Sequence, residues 1–163
     1  MNMSSDLEIV FANPKPYYSS KENLDVGFTI MNKSERKIYI IKELQYATFS
    51  SELPVTIEIG FALRKSLAEI MTYYKFSPPS LEELRVHNNI YKAIQVPLPL
   101  QKTEVDQNHQ IIFKQMPMHR KFNVHVVIGY GFDVAIPLYR NPLHSFLEWQ
   151  KLAHSPKLEI TID

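Results

Sequence analysis

The chain has no cysteine and only four glycines among its 163 residues. Without cysteine there is no disulfide, no thiolate nucleophile and no cysteine-ligated zinc site. So few glycines scarcely allow the loops that cradle nucleotide phosphates, and no phosphate-binding, nucleophile-elbow or paired-histidine helix motif occurs. The sequence therefore predicts no cofactor and argues against the common cofactor-dependent enzymes.

A large charge of either sign and a long apolar run are missing as well. Lys plus Arg number 18 and Asp plus Glu number 17, so the formal net charge is +1. This balance gives no electrostatic attraction to nucleic acid or to an anionic membrane, and no apolar run approaches the roughly 20 residues of a membrane span. We therefore expect neither nucleic-acid binding nor membrane insertion. The location is cytoplasmic if Met1 is the native start and extracytoplasmic if a signal peptide was removed.

Apolar and aromatic residues, by contrast, are plentiful. Hydrophobic residues make up 45% of the chain, with nine Phe and nine Tyr, which suffices for a core without disulfides or a structural metal. A chain of this length usually forms one domain, and no linker, repeat or low-complexity tract divides it. We therefore expect residues 1–163 to form a single domain.

Apolar side chains alternate with others along most of the chain, which is the pattern of β-strands. The segment 24–42 contains two such runs around a polar turn, so it predicts a junction between two sheets. Its turn contains Asn32 in an Asn-x-Ser glycosylation pattern, which has meaning only in a secretory compartment. The strongest run, 122–132, should cross the centre of a sheet, with Gly129 and Gly131 marking a bulge, a strong twist or a close approach near its end. Further strands are predicted at residues 7–11, 38–41, 53–63, 90–98, 111–113 and 157–162.

Two segments allow more than one interpretation. Residues 66–76 satisfy both helical and strand spacing, and the β propensity of their second half favours a strand. Ser80 and Glu83 match a capping box, which predicts a short helix. The competing interpretation is a strand that ends at 84–86, followed by a turn at 87–89.

Two more segments are predicted to lie outside the strands. Residues 101–110 form the most polar window, so we expect an exposed connection there. Residues 144–152 predict a helical turn that carries Trp149, the only tryptophan, which we expect to plug the core.

These patterns predict an all-β fold, an antiparallel two-sheet sandwich of about seven to nine strands with at most one or two short helical turns. The strand order resembles that of immunoglobulin-like and fibronectin-III-like domains, through 24–42, 90–100, 121–131 and the Trp149 segment that enters 154–162. The chain lacks the inter-sheet cysteine pair of antibody domains. Such domains include adhesion modules, enzyme appendages and intracellular protease inhibitors, so the resemblance implies an interaction role.

The leading hypothesis is a non-enzymatic domain that binds another protein through an edge strand or through loops at one end of the sandwich. Candidate interaction residues are Tyr17, Tyr18, Tyr73 and Tyr74, of which one ring in each pair should face solvent. Self-association through an edge strand is a related alternative. A carbohydrate-binding module is the alternative from another class, and it requires a coplanar row of exposed aromatic rings on one sheet.

Histidines are the residues that bear on metal chemistry. His119, His125, His144 and His154 lie in the C-terminal third together with Asp133. Imidazole and carboxylate groups are zinc ligands, but this spacing matches no specific pattern. We therefore predict no metal site and no catalytic residue. A metal-dependent hydrolase or metal carrier is the less favoured alternative, and it requires these side chains to converge in space.

Overall fold

The computed structural model describes residues 6–19, 21–50, 52–64, 77–117, 120–133 and 142–162. These ranges contain thirteen strands and one helix. The elements are β1 Leu7–Phe11, β2 Tyr17–Tyr18, β3 Leu24–Asn32, β4 Ile38–Ile41, β5 Tyr46–Phe49, β6 Thr56–Phe61, β7 Leu81–Leu84, β8 Asn89–Val96, β9 Gln101–Val105, β10 Ile111–Gln115, β11 Lys121–Gly131, α1 Pro142–Trp149, β12 Lys151–His154 and β13 Leu158–Ile162.

The strands form three sheets, and β11 organises the largest of them. One sheet has the order β1-β3-β8, and β9 and β10 form a separate hairpin. The third sheet contains eight strands. Its central strand β11 is eleven residues long. This length lets β13 and β12 pair with one edge of β11, while β6 and β4 pair with the other.

One hydrophobic core lies between the three-stranded and eight-stranded sheets. The alternation in β3 and β11 directs every second side chain to this core. Phe28 of β3 and Phe61 of β6 meet there edge to face, with ring centroids 5.7 Å apart. The buried residues of these strands include Leu24, Val26, Ile30, Ile57, Ile59, Phe122, Val124, Val126 and Ile128.

Helix α1 packs over β11 through a second, smaller apolar cluster. Leu143 and Phe146 of the helix are buried there with Ile41 and Leu63. A Cβ atom at Gly131 would overlap the indole of Trp149, so the close approach predicted near the end of this strand is confirmed.

Several predicted elements are confirmed. The chain is mostly strand with one short helix in its described parts, as an all-β fold requires. The segment 24–42 does join two sheets, because β3 lies in the three-stranded sheet and β4 in the eight-stranded one. Helix α1 covers part of the segment predicted as a helical turn.

Three local predictions were wrong. The helix after Ser80 does not form, because residues 81–84 pair with β4 as strand β7, and the competing turn interpretation is the correct one. Residues 101–105 are a strand, since pairing with β10 satisfies their backbone groups despite their polar side chains. The sheets are not purely antiparallel, because β6 pairs with β11 and β2 with β13 in parallel.

The strand number also differs from the expected seven to nine. The described residues contain thirteen strands. The additional ones, β2, β5, β7, β9 and β12, are two to five residues long. Their sequences show little apolar alternation, which is the pattern by which a strand is recognised. Residues 66–76 lie outside the described residues, and the single domain over 1–163 stays a prediction.

Candidate functional site

The predicted interaction tyrosines are in different environments. Tyr17 is 69% exposed, whereas Tyr18 is 3% exposed. The Tyr18 hydroxyl donates to the Asp25 carbonyl at 2.7 Å, and burial raises its pKa. Only Tyr17 therefore presents its ring to solvent, while Tyr73 and Tyr74 lie outside the described residues.

A continuous array of polar side chains lies on the face of the eight-stranded sheet that points away from the main core. Strand β6 places Glu58 directly opposite His125 of β11. Strand β5 contributes Tyr46, and β12 brings His154 beside His125. We call Tyr46, Glu58, His125 and His154 the polar array.

The four side chains of the polar array form a row in which each lies next to the following one, from Tyr46 through Glu58 and His125 to His154. The Tyr46 hydroxyl donates to Glu58 Oε2 at 2.8 Å. Glu58 Oε1 lies 3.7 Å from His125 Nδ1. On the other side of that ring, His125 Nε2 is 3.2 Å from His154 Nδ1, and the two rings are nearly parallel, at 7°. The array thus links a phenol, a carboxylate and two imidazoles.

Gly60 is the reason why Tyr46 reaches Glu58. Tyr46 pairs with Gly60 across β5 and β6, and a Cβ atom at Gly60 would overlap the phenol ring. The ring can therefore lie across β6 and place its hydroxyl on the carboxylate two residues away. Glycine in a strand often marks such a close approach.

The polar array sets the protonation of its own members. The neighbouring His125 and the hydrogen bond from Tyr46 lower the pKa of Glu58 against the opposing effect of burial. Burial, together with the hydrogen bond to Glu58, raises the pKa of Tyr46. Partial burial and the neighbouring His125 lower the pKa of His154. At neutral pH the array therefore holds an ionised carboxylate beside a protonated phenol and a neutral His154.

A cleft of about 530 Å³ opens beside the polar array and is lined by Tyr46, Glu58 and His154. Gln150 forms part of its wall, and this side chain is held by both backbone groups of Leu63, at 2.8 and 2.9 Å. The other lining residues are Ala62, Leu63, Arg64, Val127, Leu147 and Leu152. An open cleft therefore borders the imidazole of His154.

Among the described residues considered for metal chemistry, the structure brings together His125 and His154. His144 pairs with Glu148 on α1 at 3.0 Å, and the Asp133 carbonyl accepts a bond from Trp149. His119 is not among the described residues. Within the part of the chain that is described, no three His, Cys, Asp or Glu side chains form a metal-binding group.

Tyr46 and Glu58 were not predicted as site residues from the sequence. Glu58 is the one charged residue in the apolar run 54–63, and its alternation places it opposite the buried side chains. A charged residue within an otherwise apolar predicted strand was the sequence feature from which Glu58 could have been predicted as a site residue. Its partners were not predictable, because β5 was not recognised as a strand.

The β9–β10 hairpin presents a second candidate surface. Ile111 is 58% and Phe113 77% exposed, and both lie on the same face of β10. Cross-strand register places Thr103 and Gln101 on this face, beside Gln115. We call these five exposed, uncharged residues the hairpin face.

The opposite face of the hairpin is attached to the body of the protein. Lys102 donates to the Phe49 carbonyl at 2.9 Å and lies over its ring. Glu104 forms ion pairs with Lys102 and Lys114 at 3.2 and 2.8 Å. The charges of the hairpin are therefore concentrated on the side away from the hairpin face.

The unpaired edge of β10 is formed by the backbone of the three hairpin-face residues that lie on this strand. Backbone bonds at both ends of the hairpin, from Asp106 to Gln110 and from Met116 to Leu100, fix which residues bond across it. Even-numbered residues of β10 bond to β9, so the N–H and C=O groups of residues 111, 113 and 115 point away. No described strand pairs with that edge.

The exposed aromatic rings do not form a row on one sheet among the described residues. Tyr17 lies on β2 of the eight-stranded sheet, Tyr91 on β8 and Phe113 on β10, which belong to three different sheets. The arrangement required by the carbohydrate-binding alternative is thus not present in the described ranges.

Comparison with known proteins finds no matching family model and no matching curated protein. In the described portion of the chain, no helix has the length and apolar character needed to cross a membrane.

Proposed function

We propose that this chain is a non-enzymatic protein-interaction domain that captures an extended segment of a partner protein as a third strand beside β10. One observation carries the proposal. The residues of β10 that direct unpaired backbone groups outward, 111, 113 and 115, include the two most exposed apolar side chains of the hairpin. Unpaired edge groups template a further strand, and adjacent side chains supply specificity.

An immunoglobulin-like sandwich is the architecture we propose for the domain. The core shared by the three-stranded and eight-stranded sheets supports it, as does the connection from β3 to β4 between them. The hairpin then projects from the sandwich, anchored where Leu100 and Met116 enter the core.

The chemistry of the hairpin face defines the partner segment. Its five members carry no charge, and Ile111 and Phe113 offer the apolar area. A charged side chain packed on this face would lose water without gaining an opposite charge. The captured segment is therefore extended and uncharged, with apolar side chains that pack beside Phe113.

Strand β8 is another open edge among the described strands, and it fits a captured strand less well than β10 does. Its one large exposed apolar residue, Tyr91, folds its phenol over Gly27 of the neighbouring strand β3. Lys92 Nζ of β8 donates a hydrogen bond to Glu82 Oε2 of β7 at 2.9 Å. The β8 edge therefore offers less uncommitted apolar surface than β10.

The experiment is a selection from a display library of random short peptides on the full chain, followed by fluorescence anisotropy with the enriched peptides. The decisive variant is Gln115→Pro, which removes an outward N–H while leaving the bonds from β10 to β9 in place. We expect it to weaken binding by about tenfold, because the captured strand loses a backbone hydrogen bond to β10. The matched control Gln115→Ala keeps the N–H and should bind like the native chain.

Three outcomes decide against the proposal. Equal peptide affinity of the Gln115→Pro and Gln115→Ala variants removes the role of the β10 edge. Loss of binding on Ala93→Pro instead places the site on β8. A dimer in sedimentation that Gln115→Pro dissociates makes the occupant a second copy of this chain.

A further inference from the structure

The two imidazoles of the polar array have the spacing of metal ligands. His125 Nε2 and His154 Nδ1 are 3.2 Å apart and directed at each other. On a tetrahedral zinc ion with bonds of about 2.0–2.1 Å, two imidazole nitrogens lie about 3.3–3.4 Å from each other. Such an ion lies off the line between the two nitrogens, so each ring must turn by about 35° to direct its lone pair at the ion.

The remaining nitrogen of His125 has the environment of a metal-bound histidine. His125 Nδ1 faces Glu58 Oε1 at 3.7 Å, and Tyr46 holds the other oxygen of that carboxylate at 2.8 Å. Metal-ligating histidines commonly donate their second N–H to a carboxylate, which fixes the tautomer and the ring orientation. Here the same arrangement leaves Nε2 as the nitrogen that binds.

Solvent supplies the rest of the coordination. His154 is exposed at the border of the cleft. The described residues provide no third His, Cys, Asp or Glu ligand. Two protein ligands and open positions describe an exchangeable site, and imidazole favours Zn²⁺, Cu²⁺ and Ni²⁺ over the oxygen-seeking Mg²⁺ and Ca²⁺.

We propose that His125 and His154 bind a divalent transition-metal ion through Nε2 and Nδ1, with Glu58 orienting His125 from the outer sphere. This site is independent of strand capture, because the polar array lies on the eight-stranded sheet and the captured segment on the hairpin. Failure of one proposal therefore leaves the other unaffected.

The test is calorimetric titration of the full chain with Zn²⁺, together with electron paramagnetic resonance of the Cu²⁺ form. We expect saturable binding of one ion, with two nitrogen ligands in the Cu²⁺ spectrum. His154→Ala should abolish this binding, and its exposed position makes it the variant of choice for retaining the fold. The matched control is His144→Ala, which removes an exposed histidine on α1 and should leave binding unchanged.

Glu58→Gln separates the outer-sphere role from direct ligation. It should weaken Zn²⁺ binding by about 10–100-fold, the usual effect of losing such a carboxylate, while the Cu²⁺ spectrum keeps two nitrogens. The proposal is overturned if His154→Ala binds Zn²⁺ like the native chain, if His144→Ala abolishes binding, or if the native chain binds no ion. Each of these results would leave His125 and His154 as a hydrogen-bonded pair only.

Discussion

At the scale of single residues, Asn32 matches a glycosylation pattern, yet its side chain is buried and forms hydrogen bonds within the protein. Its side chain is 1% exposed. Asn32 Nδ2 donates to the carbonyls of Arg36 and Leu84 at 2.8 and 3.0 Å. Its Oδ1 accepts from the Ser34 N–H and hydroxyl. A glycan on Nδ2 would replace one of these hydrogens, so the folded chain has no place for it.

Replacing Asn32 tests this anchor. Asn32→Ala leaves the buried Leu84 carbonyl without its side-chain donor, so we expect a loss of about 1–3 kcal/mol in the free energy of unfolding. Urea denaturation measures it. Ser34→Ala serves as control, because water can replace its hydroxyl, and should cost below about 1 kcal/mol. Equal losses in the two variants would contradict the anchoring role.

At the scale of elements, strands with visible apolar residues in a strand pattern were predictable, and short strands without that pattern were not. β3 and β11 repeat the alternation over nine and eleven residues, so their core faces follow from the sequence. β7 has the local signals of a helix start, yet it pairs with β4 because that edge needs partners for its backbone groups. β5 and β12, which position half of the polar array, have four residues each.

The packing of α1 on β11 can be tested through Gly131. Gly131→Ala places a methyl group in the indole of Trp149, so we expect a loss of about 1–3 kcal/mol in stability. The emission of Trp149, the only tryptophan, should change with it. Thermal unfolding and the fluorescence spectrum are the measurements.

Gly27→Ala is the matched control for this prediction. The atom that it approaches most closely is the hydroxyl of the exposed Tyr91, and this ring can swing outward. We expect a change within about 0.5 kcal/mol. A spectrum of Gly131→Ala identical to that of the native chain would show that the helix does not depend on this contact.

At the scale of the whole molecule, one core connects two sheets. Phe28 and Phe61 contact each other across it, and both belong to the same buried cluster as β11. A shared core of this kind favours a single cooperative unfolding transition. A single unfolding transition is also what the single domain predicted for residues 1–163 would give.

Phe28→Ala tests the shared core. Because Phe28 is fully buried, we expect a loss of about 3–5 kcal/mol, with one transition retained by circular dichroism and fluorescence alike. Phe113→Ala removes the same side chain from an exposed position and should change stability by no more than about 0.5 kcal/mol. Two separate transitions in the native chain would instead indicate independent units.

The sequence by itself determined the fold class, because alternation is a local property and the apolar residues of β1, β3, β4, β6 and β11 display it directly. Tertiary structure decided which strands pair, and therefore which polar residues meet. Glu58 and His125 are 67 positions apart in the sequence and become neighbours only because β6 and β11 run parallel. The free edge of β10 likewise depends on pairing with β9. Such contacts depend on long-range register, which no local pattern encodes.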